Sequence, residues 1–236
     1  PMAMSPDGPQ YVVMERGLPH SLMVDGEGRR YIDEGASYMT IPQEMYERHK
    51  HTPTIPSWFI IDARHRRRYP FGLAPPGCTP KEWFRSGFMK RANTIRELAD
   101  LCGINAETLE KTVQRFNQFA ATGLDEDFHR GETNFSRQPG DPKQKPNPVL
   151  GKIERPPFYA VGIYPGNLGT FGGIITDEYA RVRRDDGSII KGLYATGNAT
   201  APVMGRIYPC TGASIASTMI FGFVAAQHAL GKMENV

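Results

Sequence analysis

At 236 residues, with 39% of them hydrophobic, the chain has the size and composition of one or two ordinary globular domains. Twenty-eight basic against 25 acidic residues leave a net charge of only +3, and the one dense basic run, Arg64-His65-Arg66-Arg67-Arg68, lacks interleaved aromatics and a second basic stripe, so it reads as a solvated surface turn and not a nucleic-acid site. Cys78, Cys102 and Cys210 show no C-x-x-C spacing and imply neither a disulfide framework nor zinc, which fits a reducing cytoplasm; no signal peptide and no transmembrane segment is evident, because the most apolar stretch, 215–230, is too short and too rich in Gly, Ser and Thr.

Residues 21–24, the turn Asp25-Gly26-Glu27-Gly28 and residues 29–33 read as a hairpin. Within the Pro- and aromatic-rich 52–80, Trp58 to Ile61 reads as a buried strand. Asn93 reads as the N-cap of a helix over 94–102 that stops at Gly103. Asn105 caps a longer one over 106–121, in which Leu109, Val113, Phe116 and Ala120 recur at helical spacing before Gly123. The pair suggests a small helical lid. Residues 125–148 are polar and rich in Gly and Pro, an ordered surface loop or a hinge. Strands are predicted at 159–164, 173–176, 180–183 and 188–190, with Asp185-Asp186-Gly187 turning between the last two. A short buried strand over 193–196 then leads through a Gly197-Asn198 turn and a loop ending Tyr208-Pro209 into the last helix.

That helix opens on Thr211, Gly212, Ala213 and Ser214. Unpaired N–H groups at such an opening carry partial positive charge and suit an anionic or electron-rich ligand edge, and small side chains let a flat ligand approach. A strand and helix that merely pack closely would show the same pattern. No metal cluster, paired carboxylates or nucleophile triad appears in a usual spacing, and His129 and His228 read as structural or surface residues.

Several stretches, in order, resemble the FAD-dependent 3-ketosteroid dehydrogenases within the fumarate-reductase-like flavoprotein group: 28-GRRYIDEGASY-38, 123-GLDEDFHRGE-132, 146-PNPVLG-151, 165-PGNLGTFGGIITDEYARV-182 and the C-terminal strand, Met-Gly-x-x-Tyr-Pro-x-x-Gly stretch (204–212) and helix. The resemblance implies an α/β protein. An α+β catalytic (substrate or cap) domain would span 1–165, beginning near the crossing out of the FAD domain. Residues 166–236 would be the C-terminal portion of a Rossmann-like FAD-binding domain. The G-x-G-x-x-G turn that holds the FAD pyrophosphate in such proteins is absent, and the glycines of 166–173 have the wrong spacing and lead into a β-branched stretch. The chain is therefore expected to be the C-terminal half of a longer flavoenzyme. Its partners would be the missing N-terminal half, or a companion chain, and a hydrophobic ketone or steroid substrate.

The same resemblance assigns the site. Tyr208 and the backbone N–H of Gly212 would hold the ketone oxygen, an oxyanion hole in which each preorganised donor is worth about 3 kcal/mol. Tyr38 would remove the proton, which requires a phenol pKa well below about 10; Arg29, Arg30 and a second tyrosine from the missing half are candidate causes. FAD would meet Asn198 at its ribityl chain, Gly212, Ala213, Ser214 and Ile215 at the pyrimidine edge, and Thr170, Gly172 and Gly173 near the isoalloxazine. Tyr208 or Tyr38 could instead be packing residues. Two departures stand out: Cys210 where the family commonly has Gly, and Ala216-Ser217 where Gly-Pro usually follows, so the turn and the substrate could differ. A fumarate- or enoate-reductase-like activity would need an arginine near position 208, and Arg206 keeps that alternative open. A non-catalytic partner or lid fragment is the other alternative.

Overall fold

The computed structural model describes residues 1–167 and 169–233, so Leu168 of the glycine-rich 166–173 stretch lies outside them. Two compact units divide the chain after Gly166.

In the first unit, β1 (Met2–Ser5) and β2 (Gly8–Tyr11) pair as a hairpin. The chain continues through β3 (Ser21–Val24), α1 (Thr40–His49), β4 (Ser57–Ile61), α2 (Ala63–Arg68), α3 (Lys81–Arg85), β5 (Met89–Ala92), α4 (Ile95–Cys102), α5 (Ala106–Thr122), α6 (Asn134–Arg137) and β6 (Phe158–Ile163). Four strands make one antiparallel sheet in the order β3-β4-β6-β5. Alternate residues of each strand face opposite sides. Leu22, Val24, Ile60 and Ala160 pack with Leu98, Leu109, Val113 and Phe116 of α4 and α5. Met23, Phe59, Ile61, Val161 and Ile163 pack with Ile41 and Met45 of α1 and with Phe71 and Trp83. Both faces are covered, so β4 and β6 read as near-continuous apolar runs. The α4–α5 pair is a layer of this core and not the lid its sequence suggested, because its apolar stripe is fully committed to the sheet.

The caps of that pair are set by local chemistry. Thr94, not Asn93, caps α4, in a capping box with Glu97, and Asn105 caps α5; Gly103 and Gly123 end them with left-handed φ of 69° and 86°.

The predicted hairpin at 21–33 forms only its first strand and its turn. The Asp25 carboxylate accepts from the N–H groups of Glu27 and Arg29, and Arg48 binds its other oxygen. Residues 30–33 then leave the sheet, and charged side chains occupy the outer edge of β3 in place of a strand. Glu34 accepts from Met23 N–H at 3.0 Å, and Arg130 donates to the Ser21 carbonyl at 2.8 Å. Glu34, Asp125, Arg30 and Arg130 form a buried ion cluster with contacts of 2.8–3.1 Å. Burial alone would raise the Glu34 carboxyl, but Arg30 and Arg130 hold it below the usual carboxylate range.

The basic run is the helix α2 and not a turn; Arg67 and Arg68 are exposed as expected, but His65 and Arg66 are buried. Asp62 caps it and pairs with Arg64. His65 packs edge-on against Phe59 and Tyr69, while the Arg66 guanidinium donates to the carbonyls of Tyr69, Pro75 and Cys78. These three carbonyls offset part of the cost of burying Arg66, whose Nε finds no partner.

The second unit contains a hairpin of β7 (Arg181–Arg183) and β8 (Ile189–Tyr194), a 3₁₀ turn over Gly197–Ala199, and α7 (Ala213–Ala229). One strand, β8, replaces the two predicted at 188–190 and 193–196. It is not buried: Leu193 is 46% exposed, because the hairpin has no third strand. Residues 173–176 make only isolated bridges, Ile174 to Thr200 and Thr176 to Val182, after Gly172 and Gly173 at φ of 149° and 125°. Along α7 only Ala213 is buried, and Ile215, Met219 and Phe223, four residues apart on one face, are 65–70% exposed. Among the described residues, no helix is long and apolar enough to cross a membrane.

Candidate active site

The opening of α7 is built around a left-handed glycine. Gly212 is the N-cap, with φ +87°, and its N–H donates to the Tyr208 hydroxyl oxygen at 3.1 Å. A Cβ at position 212 would meet nothing within 4 Å, so open space lies beside this backbone. The first N–H groups of α7, through Ile215, have no acceptor within the helix, which leaves its N-terminus electropositive. Cys210 does not adopt positive φ, so its Cβ is accommodated without backbone strain where a glycine is commoner in similar sequences.

Tyr208 and Gly212 are thus brought together, but not as two free donors. The N–H is spent on the phenol oxygen, so of the two groups only the phenol O–H could be offered to a ketone. Accepting a hydrogen bond polarises a hydroxyl and strengthens the bond it donates. The pair can act as a relay that delivers one strong donor to a carbonyl oxygen.

A cavity of about 420 Å³ lies next to this helix start and is lined by Asn198, Ser214, Thr196, Ser217, Met204 and Phe221, among others. Asn198 and Ser214 were legible in the sequence. Thr196 was not singled out there, and Ser217 only as part of the Ala216-Ser217 departure, although each lies two or three residues from one of them. Ala213 is buried and Ile215 67% exposed at the same helix end. Thr170, Gly172 and Gly173 flank Phe171, which lines the cavity. Gly173 packs under the Ala199 carbonyl, where a Cβ would approach to 3.0 Å, whereas Gly172 faces open space.

Tyr38 belongs to the first unit and immediately precedes Met39, the N-cap of α1. It is half-buried. Ser37 fixes this start: its hydroxyl and its carbonyl both accept from Thr40 N–H, at 3.1 and 3.0 Å. The arginines named from sequence as sources of positive charge are otherwise engaged. Arg30 is divided between Glu34 and Asp125, and Arg29 is a largely exposed partner of Glu27. The N-terminus of α1 is the electropositive feature that adjoins Tyr38 in sequence. Arg206, the residue that kept a reductase reading open, is exposed.

A family model described as FAD binding domain matches residues 1–215. The 3-oxosteroid 1-dehydrogenase of Mycobacterium tuberculosis is 47% identical over 226 residues, covering 93% of this chain and 40% of that protein. The 4-oxocyclohex-2-ene-1-carboxylate 5-dehydrogenase of Sinomonas cyclohexanicum is 36% identical, covering 89% of this chain and 36% of that one. Among solved structures, the crystal structure of 3-ketosteroid delta1-dehydrogenase from Sterolibacterium denitrificans in complex with 1,4-androstadiene-3,17-dione superposes with a TM-score of 0.91 at 37% identity, over 99% of this chain and 43% of that one. The chain therefore spans about two fifths of the length of these relatives.

Proposed function

We propose, for a chain that belongs to the FAD-binding domain family, that it carries the ketone-binding and proton-removing groups of a dehydrogenase. Its reaction introduces a double bond next to the carbonyl of a 3-ketosteroid or similar hydrophobic ketone. Residues 1–165 act as the catalytic domain and 166–236 as the C-terminal portion of the FAD domain. The geometric observation that carries the reading is the Gly212 N–H to Tyr208 hydroxyl contact at an open helix start. The 47% identity to a 3-oxosteroid 1-dehydrogenase supports the substrate class.

The residues present fit a flavin: the cavity is mainly apolar with polar groups from Thr196, Asn198, Ser214 and Ser217, and Gly172 and Gly212 offer backbone that nothing covers. Asn198, Thr170, Gly172, Gly173 and the Gly212–Ile215 helix start would hold it. FAD, when bound, supplies the acceptor for the hydride that leaves the second carbon. Tyr208 donates its hydroxyl hydrogen to the ketone oxygen, drawing charge from the adjacent C–H bond as it breaks. Tyr38, as phenolate beside the α1 N-terminus, takes that proton onto its oxygen. Loss of one proton and one hydride from neighbouring carbons leaves the new double bond.

The partner in this reading is the missing N-terminal half, or a companion chain, and the exposed α7 face supports it: Ile215, Met219 and Phe223 are where such a partner would pack. Three free cysteines favour a reducing, cytoplasmic setting. A carboxylate-binding reductase is disfavoured by Tyr208 at the position where it needs arginine. The test is anaerobic mixing of the complete FAD-loaded enzyme with 4-androstene-3,17-dione. Bleaching of the flavin band is expected; a protein that takes up FAD but is not reduced by any 3-ketosteroid would overturn the reading.

A further inference from the structure

Arg16 is one of the most buried charges of the first unit, at 2% exposure, yet none of the ion pairs among the described residues includes it. Its Nη1 donates instead to two backbone carbonyls, those of Glu34 and Ala36, the latter at 2.7 Å, and its Nε finds no partner. A guanidinium taken out of water without a carboxylate is costly, and two carbonyl acceptors compensate only in part. Burial accordingly lowers its pKa to about 10.

The segment it grips is fixed from every side. Glu34 is held by Arg30, Arg130 and the N–H of Met23. Gly35 donates to Asp33 at 2.6 Å and is pressed so closely on Ser136 that a Cβ there would lie 2.5 Å from its hydroxyl. Ala36 ends the gripped stretch, and the capped start of α1 begins at Ser37. Tyr38 sits at that junction.

We propose that Arg16 is a positioning residue for Tyr38: through the Ala36 carbonyl it sets where the α1 entry turn, and hence the phenol, stands. The inference rests on the reading of Tyr38 as the proton acceptor. It adds that the buried arginine acts on the chemical step and not on affinity, because orienting a reacting group by a fraction of an ångström changes the rate far more than ground-state binding.

The test uses the complete FAD-loaded enzyme and single-turnover anaerobic flavin reduction by 4-androstene-3,17-dione. Arg16→Met should slow reduction about tenfold or more at saturating steroid, with the half-saturating concentration changed less than about threefold. The oxidised flavin spectrum should be unaltered. Arg16→Lys, which keeps a charged ammonium to donate to the two carbonyls, should recover part of the rate, and it takes the place of Arg16→Met if that variant fails to fold. The decisive arm is the double-mutant cycle. In a Tyr38→Phe background, the Arg16 substitution should cost less than about twofold in the residual rate, since its route to the chemistry is already gone. An unchanged rate in the Arg16 variants, or the same fold loss with and without the Tyr38 phenol, would overturn the inference. Tyr38→Phe alone separates the two readings: undiminished reduction in that variant refutes Tyr38 as the base, whereas a dead Tyr38→Phe beside a fully active Arg16→Met refutes only the positioning role.

Discussion

At the residue scale, the contact between Gly212 and Tyr208 makes an asymmetric prediction. Tyr208→Phe removes the hydroxyl and also leaves the Gly212 N–H without its acceptor. That N–H sits at an open helix start, so it can turn to a ketone oxygen and rescue part of the lost stabilisation. The expected loss in kcat is about two orders of magnitude, equivalent to one preorganised donor and not two. Flavin content should be unchanged, because the phenol is not among the residues assigned to the cofactor. Steady-state kinetics with a 3-ketosteroid checks this, and activity within about twofold of wild type would remove Tyr208 from the mechanism.

At the element scale, α2 carries a titratable weak point. His65 is fully buried, its Nε2 bonded to the Glu15 carbonyl at 3.0 Å, and burial lowers its pKa to about 3, far below the ordinary 6.5. His20, also buried, is shifted in the same direction by burial. Between pH 3 and pH 6.5 the unfolded chain takes up a proton at His65 that the folded chain refuses. Stability is therefore fully present above the unfolded value and falls as pH drops through this window, by up to about 1.4 kcal/mol per pH unit for one such site. Urea midpoints at a series of pH values should show that slope, and His65→Gln should flatten it. An equal slope in the variant would mean that other groups drive the acid transition. Phe116 offers a contrast without pH dependence: it is wholly buried between the sheet and the α4–α5 layer, and truncation to alanine should cost about 3–5 kcal/mol.

At the scale of the whole molecule, the second unit has a poor ratio of core to surface. Met219 at 70%, Ile215 and Leu230 at 67%, Val203 at 66% and Phe223 at 65% exposure form more apolar surface than a self-sufficient domain leaves to water. The β7–β8 hairpin is likewise a two-stranded sheet: residues 175–177 bridge the outer edge of β7, and no strand among the described residues pairs with the outer edge of β8. The 236-residue chain by itself should consequently self-associate, and it should bind FAD poorly, because the sequence contains no pyrophosphate-binding glycine turn. Light scattering after gel filtration and a fluorescence titration with FAD test both halves of that statement. A well-behaved monomer that binds FAD at micromolar concentration would show that the 213–230 face and the cavity beside it are complete without a partner.

What the sequence by itself determined was local or motif-borne. The α4 and α5 boundaries were readable to within a residue or two, because capping side chains and left-handed glycines act over three or four residues. Tyr208 and Gly212 were picked out only through the family resemblance, as two donors to one ketone, whereas the structure bonds the Gly212 N–H to the Tyr208 hydroxyl. What only the tertiary structure decided was the partner of each long-range group. Strand propensity at 29–33 lost to a buried cluster whose members, Arg30, Glu34, Asp125 and Arg130, lie up to 100 residues apart, and no window on the sequence contains them together. Arg64 and Arg66 looked as solvated as Arg67 and Arg68, which are exposed, because their acceptors, carbonyls at 69, 75 and 78 and carboxylates at 62 and 154, become acceptors only once the chain has turned back on itself. Arg16 was invisible for that reason: a single arginine in a short irregular stretch acquires meaning only when folding sets two carbonyls, 18 and 20 residues further along, within reach of one nitrogen.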